Sequence, residues 1–233
     1  MKPSRIVELV GVAGAGKTTL AHALSVNNPR IILCDHPYFR NVSDFPFFTW
    51  NALLMAPIFL HLFATSGIKS ITPREMAWMV ILNGWHHRLQ RQGSKDSSII
   101  LLDQGPIAIL AELYVFHQSV FQNQAVKKWC DRILTVWSHS LDILICLDAP
   151  DAVLIKRVRN RNRWHQIKDL SDLEAIDLTM GFRTINNCLV SNMTDDVHGP
   201  IKIDFDTEKE SINQITEMAL IACEAYKSRT SIS

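Results

Sequence analysis

Positions 11–19 read GVAGAGKTT, which sets Gly11, Gly16, Lys17 and Thr18 at the spacing G-x-x-x-x-G-K-[ST]. Glycines let successive backbone N–H groups turn into one concavity, and such a nest binds phosphate. We expect Gly11, Gly14, Ala15, Gly16, Lys17, Thr18 and Thr19 to wrap the phosphates of a nucleoside triphosphate, ATP or GTP. Lys17 would reach the terminal phosphates as a point charge, and the Thr18 hydroxyl would hold Mg²⁺. A helix starting at Lys17 adds its positive N-terminal end to the same spot.

Two acids could share the metal. Asp103 closes the apolar run SIILLDQG, and Asp148 closes DILICLDAP. An acid at the tip of a strand beside the phosphate loop helps to hold the Mg²⁺ that bridges the β- and γ-phosphates. Asp103 is the favoured candidate, because Gly105-Pro106 turns the backbone sharply just after it, whereas Ala149-Pro150-Asp151 reads as a helix start. Further on, IKRVRNRNRWH carries Arg157, Arg159, Arg161 and Arg163 at alternate positions. Transferring a phosphoryl group spreads negative charge over three oxygens, and mobile arginines meet that charge. This arginine run is therefore expected in a catalytic lid spanning about 157–169, rather than on a merely solvated basic face.

The elements that must position these groups follow from hydrophobic patterning. Short apolar runs at Arg5–Val10, Ile31–Cys34, Ser98–Leu102, Asp142–Leu147 and Ile201–Phe205 predict five strands. Because they are continuous rather than alternating, they describe an α/β parallel sheet covered on both faces. Helices are predicted at Arg74–Gln92, Ile107–Val120, Val126–Ser138, Ala152–Asn160, Ser171–Val190 and Lys209–Lys227. Ser171 and Glu174 form a capping-box signature at the start of one of them. In such sheets ligands collect at the carboxyl ends of the strands, where the residues named above fall.

Phe45–Phe63 is almost wholly apolar but contains Asn51, Pro57 and His61. We expect a Pro-kinked buried helix, or one lining a substrate pocket, rather than a membrane contact; the segment could also serve a homodimer interface.

The 233 residues suit one domain over 1–233 with a helical acceptor-side insert at about 41–92. Lysine and arginine total 24 and aspartate and glutamate 23, so this balance offers no electrostatic attraction to nucleic acid. Five widely spaced cysteines without a CxxC pair suggest neither zinc nor a disulfide framework; reduced core cysteines, and hence the cytoplasm, are the expected reading. No signal peptide is expected ahead of the first strand.

The phosphate loop, LLDQG, LICLDAP leading into IKRVRNR, and IKIDFDTEKE before the closing helix resemble the thymidylate kinase and deoxynucleoside kinase branch of P-loop kinases, from Ile6 to about Ala222. The resemblance implies a three-layer P-loop NTPase fold with a five-stranded parallel sheet, and ATP with Mg²⁺ as donor. It further implies Arg157 near the adenine, Arg161 and Arg163 near the transferred phosphoryl group, and Asp206 beside the base.

The acceptor side departs from that pattern. Asp103-Gln104 stands for the family's Asp-Arg, Asp35-His36-Pro37 stands for Arg-Glu-Pro, and no arginine stands within Leu82–Trp85, which His86, His87 and Arg88 directly follow. The arginines that grip a monophosphate are largely missing. What remains is Asp35, His36, Tyr38, Arg40 and Gln104, with Arg74 or His86. Asp35 would orient and deprotonate an attacking hydroxyl, or else cap the Asp-His-Pro turn. Trp50, Phe47, Phe48 and Trp78 are candidates for an apolar acceptor pocket.

These features predict a kinase of a small molecule, a nucleoside, nucleotide or other hydroxyl acceptor. The alternative is a non-catalytic ATP-binding regulatory module. The chain holds no Asn-Lys-x-Asp guanine motif and no Leu-Ser-Gly-Gly-Gln signature, which argues against a GTPase switch and a transporter ATPase.

Overall fold

In a computed structural model, residues 5–37, 41–67, 71–92 and 98–225 are described. Five strands form one parallel sheet in the order β2-β3-β1-β4-β5. They are β1 (Arg5–Val10), β2 (Ile31–Leu33), β3 (Ile99–Leu102), β4 (Ile143–Asp148) and β5 (Ile201–Asp206), all within two residues of the runs read from the sequence. β1 lies at the centre, with Glu8 opposite Leu102 of β3 and Leu144 of β4.

Alternate side chains of these strands face opposite layers. Val7, Leu9, Leu101, Ile145 and Leu147 pack against α1 (Lys17–Asn27) and α9 (Ile212–Ala225). Ile6, Val10, Ile100, Leu102 and Leu144 face a larger helical layer. It comprises α2 (Phe45–Ser66), α3 (Pro73–Gln92), α4 (Pro106–Phe116), α5 (Gln118–Phe121), α6 (Gln124–Ser140) and α8 (Asp172–Thr194). Trp85 and Trp137 are fully buried there, ring centroids 5.7 Å apart, with the Trp137 indole N–H donated to the Leu82 carbonyl. α7 (Asp151–Arg159) follows β4 and carries the arginine run. The expected Ser171 capping box is present at α8, with both reciprocal bonds to Glu174.

Three local expectations are corrected. The helix expected over Ile107–Val120 breaks at His117, whose ψ of 43° leaves helical geometry. α9 starts at Ile212 rather than Lys209, because Asp206 and Glu210 close a turn first and Ser211 with Gln214 forms the cap. α2 runs unbroken from Phe45 to Ser66 and is not buried as a whole. Phe48, Asn51, Met55, Phe59 and Leu62 face inward, whereas Phe45, Trp50, Leu53, Leu54 and Leu60 are exposed. Pro57 is itself exposed, so the carbonyl its ring leaves without a donor lies on the side open to water and the helix continues.

Candidate active site

The turn from β1 into α1 carries the phosphate loop. Gly16, at φ 97° and ψ 7°, is the residue before α1, a left-handed position that favours glycine. Gly14 has φ 91°, and a Cβ there would lie 2.6 Å from the Leu154 carbonyl oxygen of α7. The loop is thus wedged against the helix that carries the arginines. The Lys17 ammonium folds back to donate to the carbonyls of Gly11 (2.5 Å) and Val12 (3.2 Å). Burial pulls its pKa down to about 8, and Arg161 pulls the same way, while Asp103 and Glu8 oppose them.

β3 delivers Asp103 next to the loop, where its Oδ2 accepts from the Thr18 hydroxyl at 2.8 Å. Its Oδ1 is buried without a hydrogen-bond partner. Asp148 ends the strand on the other side of β1 but is otherwise engaged. It accepts from Arg183 Nε at 2.8 Å and Nη2 at 3.1 Å, and from the Ala149 N–H. Arg183 also donates to Asp151 at 2.6 Å and so ties α8 to the start of α7. Thr18 and Asp103 fit Mg²⁺: a hydroxyl and an unsatisfied carboxylate oxygen meet beside a phosphate nest. Magnesium characteristically takes one or two carboxylates plus substrate phosphates. No cluster of three or more metal-binding side chains occurs among the described residues.

The four arginines diverge. Arg157 is fixed by the Thr207 hydroxyl and carbonyl, each at 2.8 Å, and touches the Gly14 carbonyl at 3.4 Å. Arg159 turns away to Asp172 and the Leu170 carbonyl. Arg161 and Arg163 lie beyond the end of α7 and line a cavity of about 980 Å³ that also exposes Gly11, Gly14, Gly16, Lys17, Thr18, Asp103 and Gln104. His165 lines it too; its pKa is lowered, first by burial and then by Arg161, Lys17 and Arg163. Ala15 is buried beneath the loop, and Thr19 is exposed on α1. Asp206 accepts from Lys209 at 2.8 Å and from the Glu208 N–H; these contacts hold its carboxyl below the usual range. It lines a second cleft, with Asp148 and Glu210.

The expected acceptor residues are dispersed. Asp35 is exposed at the tip of the edge strand, and His36 packs edge-on against Trp78, centroids 4.7 Å apart. Neither lines the large cavity, whereas Gln104, Arg74 and Trp78 do. Tyr38 and Arg40 fall outside the described residues. Trp50 is exposed, Phe48 belongs to the core, and His86 is buried beside Trp137 with its pKa lowered to about 4, chiefly by burial. No apolar pocket forms from Phe48 and Trp50, because they point to opposite sides of α2.

Residues not singled out from the sequence support the site from beneath or line it. Glu8 is fully buried in the middle of β1, and its Oε1 accepts from the N–H groups of Ile107 (2.9 Å) and Ala108 (3.3 Å) at the start of α4. Burial pushes its carboxyl up to about 8, against the pull of those two N–H groups and Lys17. A charged residue inside RIVELV was the available signal. Glu75 and His117, 2.8 Å apart, line the cavity at its far end; no local pattern links them, because they sit on separate elements.

No protein-family model and no curated protein matches this chain. Solved structures do. Deoxyadenosine kinase from M. mycoides, with the products dCMP and a flexible dCDP bound, is 15% identical. It superposes at a TM-score of 0.57, over 95% of this chain and 100% of that one. Thymidylate kinase from Candida albicans is 16% identical at a TM-score of 0.55, covering 95% and 92%. The YorR protein from Bacillus subtilis, in complex with phosphorylated GDP, is 14% identical at 0.52, covering 94% and 95%. The five-stranded parallel sheet, its flanking helices and these superpositions together establish a thymidylate and deoxynucleoside kinase-like P-loop kinase fold.

Proposed function

We propose that the protein is a P-loop phosphotransferase that moves the γ-phosphoryl group of ATP to a hydroxyl of a small molecule, with Mg²⁺. The observation that carries the reading is the convergence of Lys17, Thr18, Asp103, Arg161 and Arg163 on one cavity of a kinase-like fold. A purely structural glycine turn would not need an ammonium, a carboxylate and two arginines facing the same space.

In this reading the loop from Gly11 to Thr19 cradles the phosphates, and Lys17 leaves its carbonyl partners to meet them. Phosphate oxygens would replace the partial charges of the Gly11 and Val12 carbonyls with full ones, holding the lysine charged. Thr18 and Asp103 are the residues that would hold Mg²⁺, which when bound draws charge from the β- and γ-phosphates. Arg161 and Arg163, on the stretch after α7, stabilise the charge spread over the transferred group. Arg157, already held by Thr207 and Gly14, flanks the adenine, with Asp206 beside the base. We further propose one kinase domain, with the segment 41–92 on the acceptor side and 157–169 as the lid.

The test is ADP release with ATP and Mg²⁺ across nucleosides, nucleoside monophosphates and sugars. Lys17→Ala should abolish it. Arg161→Ala should lower turnover at least a hundredfold while changing ATP affinity little. Equal loss of both would instead favour a regulatory ATP-binding module, and full activity in Lys17→Ala would refute the phosphate-loop assignment.

A further inference from the structure

The cavity extends well past the phosphate loop, between α3, α4 and α8. Its walls there are Trp78, Ile109, Leu113, Phe116 and Phe182, with the rings of Phe116 and Phe182 5.6 Å apart. Its far end carries the buried Glu75 and the half-buried His117, joined through His117 Nε2 and Glu75 Oε1 at 2.8 Å. Glu75 is held from behind, since its two oxygens accept from the Thr72 N–H and the Thr72 hydroxyl at 2.7 Å each. With Nε2–H donated to the carboxylate, a neutral His117 keeps Nδ1 as a hydrogen-bond acceptor. Two further polar atoms of lining residues are buried without partners, the indole N–H of Trp78 and Oδ1 of Asn186.

Length and charge then restrict what can fill this space. α4 starts three residues after Asp103 and ends just before His117; its 11 residues rise about 16 Å. With hydrogen-bond separations of about 3 Å at each end, a bridging molecule is roughly 10 Å long. Among the described residues, α3, α4 and α8 give this chamber one permanent cation, Arg74, which is 71% exposed and paired with Glu112 at 2.5 Å. Glu75 and Glu112 add negative charge. A phosphate there would lack a free cation and face two carboxylates.

Resting on the phosphotransferase reading, we infer that Glu75 and His117 form the distal recognition pair for an elongated, uncharged, ring-bearing alcohol. Its hydroxyl faces the phosphate loop, and its far end donates a hydrogen bond to His117. The pair lies too far from the loop to take part in the transfer itself. It is a specificity determinant, and single small sugars and monophosphate acceptors are excluded.

Calorimetric titration of the full chain, saturated with Mg²⁺ and a non-hydrolysable ATP analogue, tests this with thymidine, thymidine monophosphate and glucose as probes. Thymidine should bind at least tenfold more tightly than the other two. His117→Ala and Glu75→Gln should each weaken it tenfold or more, leaving the ATP analogue's affinity within twofold. His117→Gln, whose amide can still donate to Glu75, should recover part of the loss, and thermal midpoints within a few degrees of wild type would show that the variants fold. Undetectable thymidine binding, tighter glucose or monophosphate binding, or unchanged affinity in both His117 variants would overturn the assignment. ADP release measured against Lys17→Ala judges the phosphotransferase reading separately.

Discussion

Glu8→Gln offers a sharp test of how the core behind the phosphate loop is built. Glu8 is 0% exposed, and burial moves its carboxyl from about 4.5 to about 8. A carboxyl whose folded pKa is raised stays protonated in the native state while the unfolded chain has already ionised. Stability is therefore lost as pH rises from the unfolded to the folded value, and the loss levels off above it. Each pH unit in that window is worth about 1.4 kcal/mol, so between pH 5 and pH 8 the loss from Glu8 is roughly 4 kcal/mol. Glutamine has nearly the same shape, and its carbonyl oxygen can accept from Ile107 and Ala108, but it cannot ionise. Its amide N–H groups would replace an oxygen that has no partner, at a cost of about 1–3 kcal/mol that does not vary with pH. The variant should thus be no more stable than wild type at pH 5 and clearly more stable at pH 8. Urea unfolding followed by tryptophan fluorescence at a series of pH values reads this directly, with Trp85 and Trp137 as buried reporters. Parallel stability curves for the two proteins would refute the reasoning.

Other perturbations follow from the same geometry. Gly14→Ala places a Cβ 2.6 Å from the Leu154 carbonyl at a φ of 91°, so we expect about 2 kcal/mol or more of lost stability, read as a lower thermal midpoint, with weakened nucleotide binding in titration. Asp103→Asn removes the charge that supports the Lys17 ammonium; turnover should fall at least tenfold, the Mg²⁺ requirement should rise, and the alkaline limb of the pH–rate profile should move below its wild-type position. Arg183→Ala leaves Asp148 and Asp151 without their shared partner and frees α8 from the start of α7, which should cost about 1–3 kcal/mol in denaturant titration.

How far the sequence could be read depended on whether a signal was local. The five strands and the Ser171 cap were legible because each rests on a continuous apolar run or on residues three apart. The break at His117 was not, since Tyr114 to Val120 keeps an unbroken apolar rhythm across it. The exposure of α2 was equally hidden. Its outward leucines are as apolar as its inward ones, and only the position of α3 decides which side is covered.

The candidate site divides along the same line. By itself the sequence determined the phosphate loop with Lys17 and Thr18, the acid at the end of each neighbouring strand, and the arginines past α7, because a single segment of backbone carries each. Tertiary structure alone decided which acid meets Thr18. β3 and β4 both flank β1, and Arg183, arriving on a helix distant in the chain, engages Asp148 while Asp103 reaches the hydroxyl. It also decided that Glu8 supports the start of α4, and that Glu75 meets His117 from another helix. Such pairings are set by how the layers pack around one core, and no spacing within a segment encodes them.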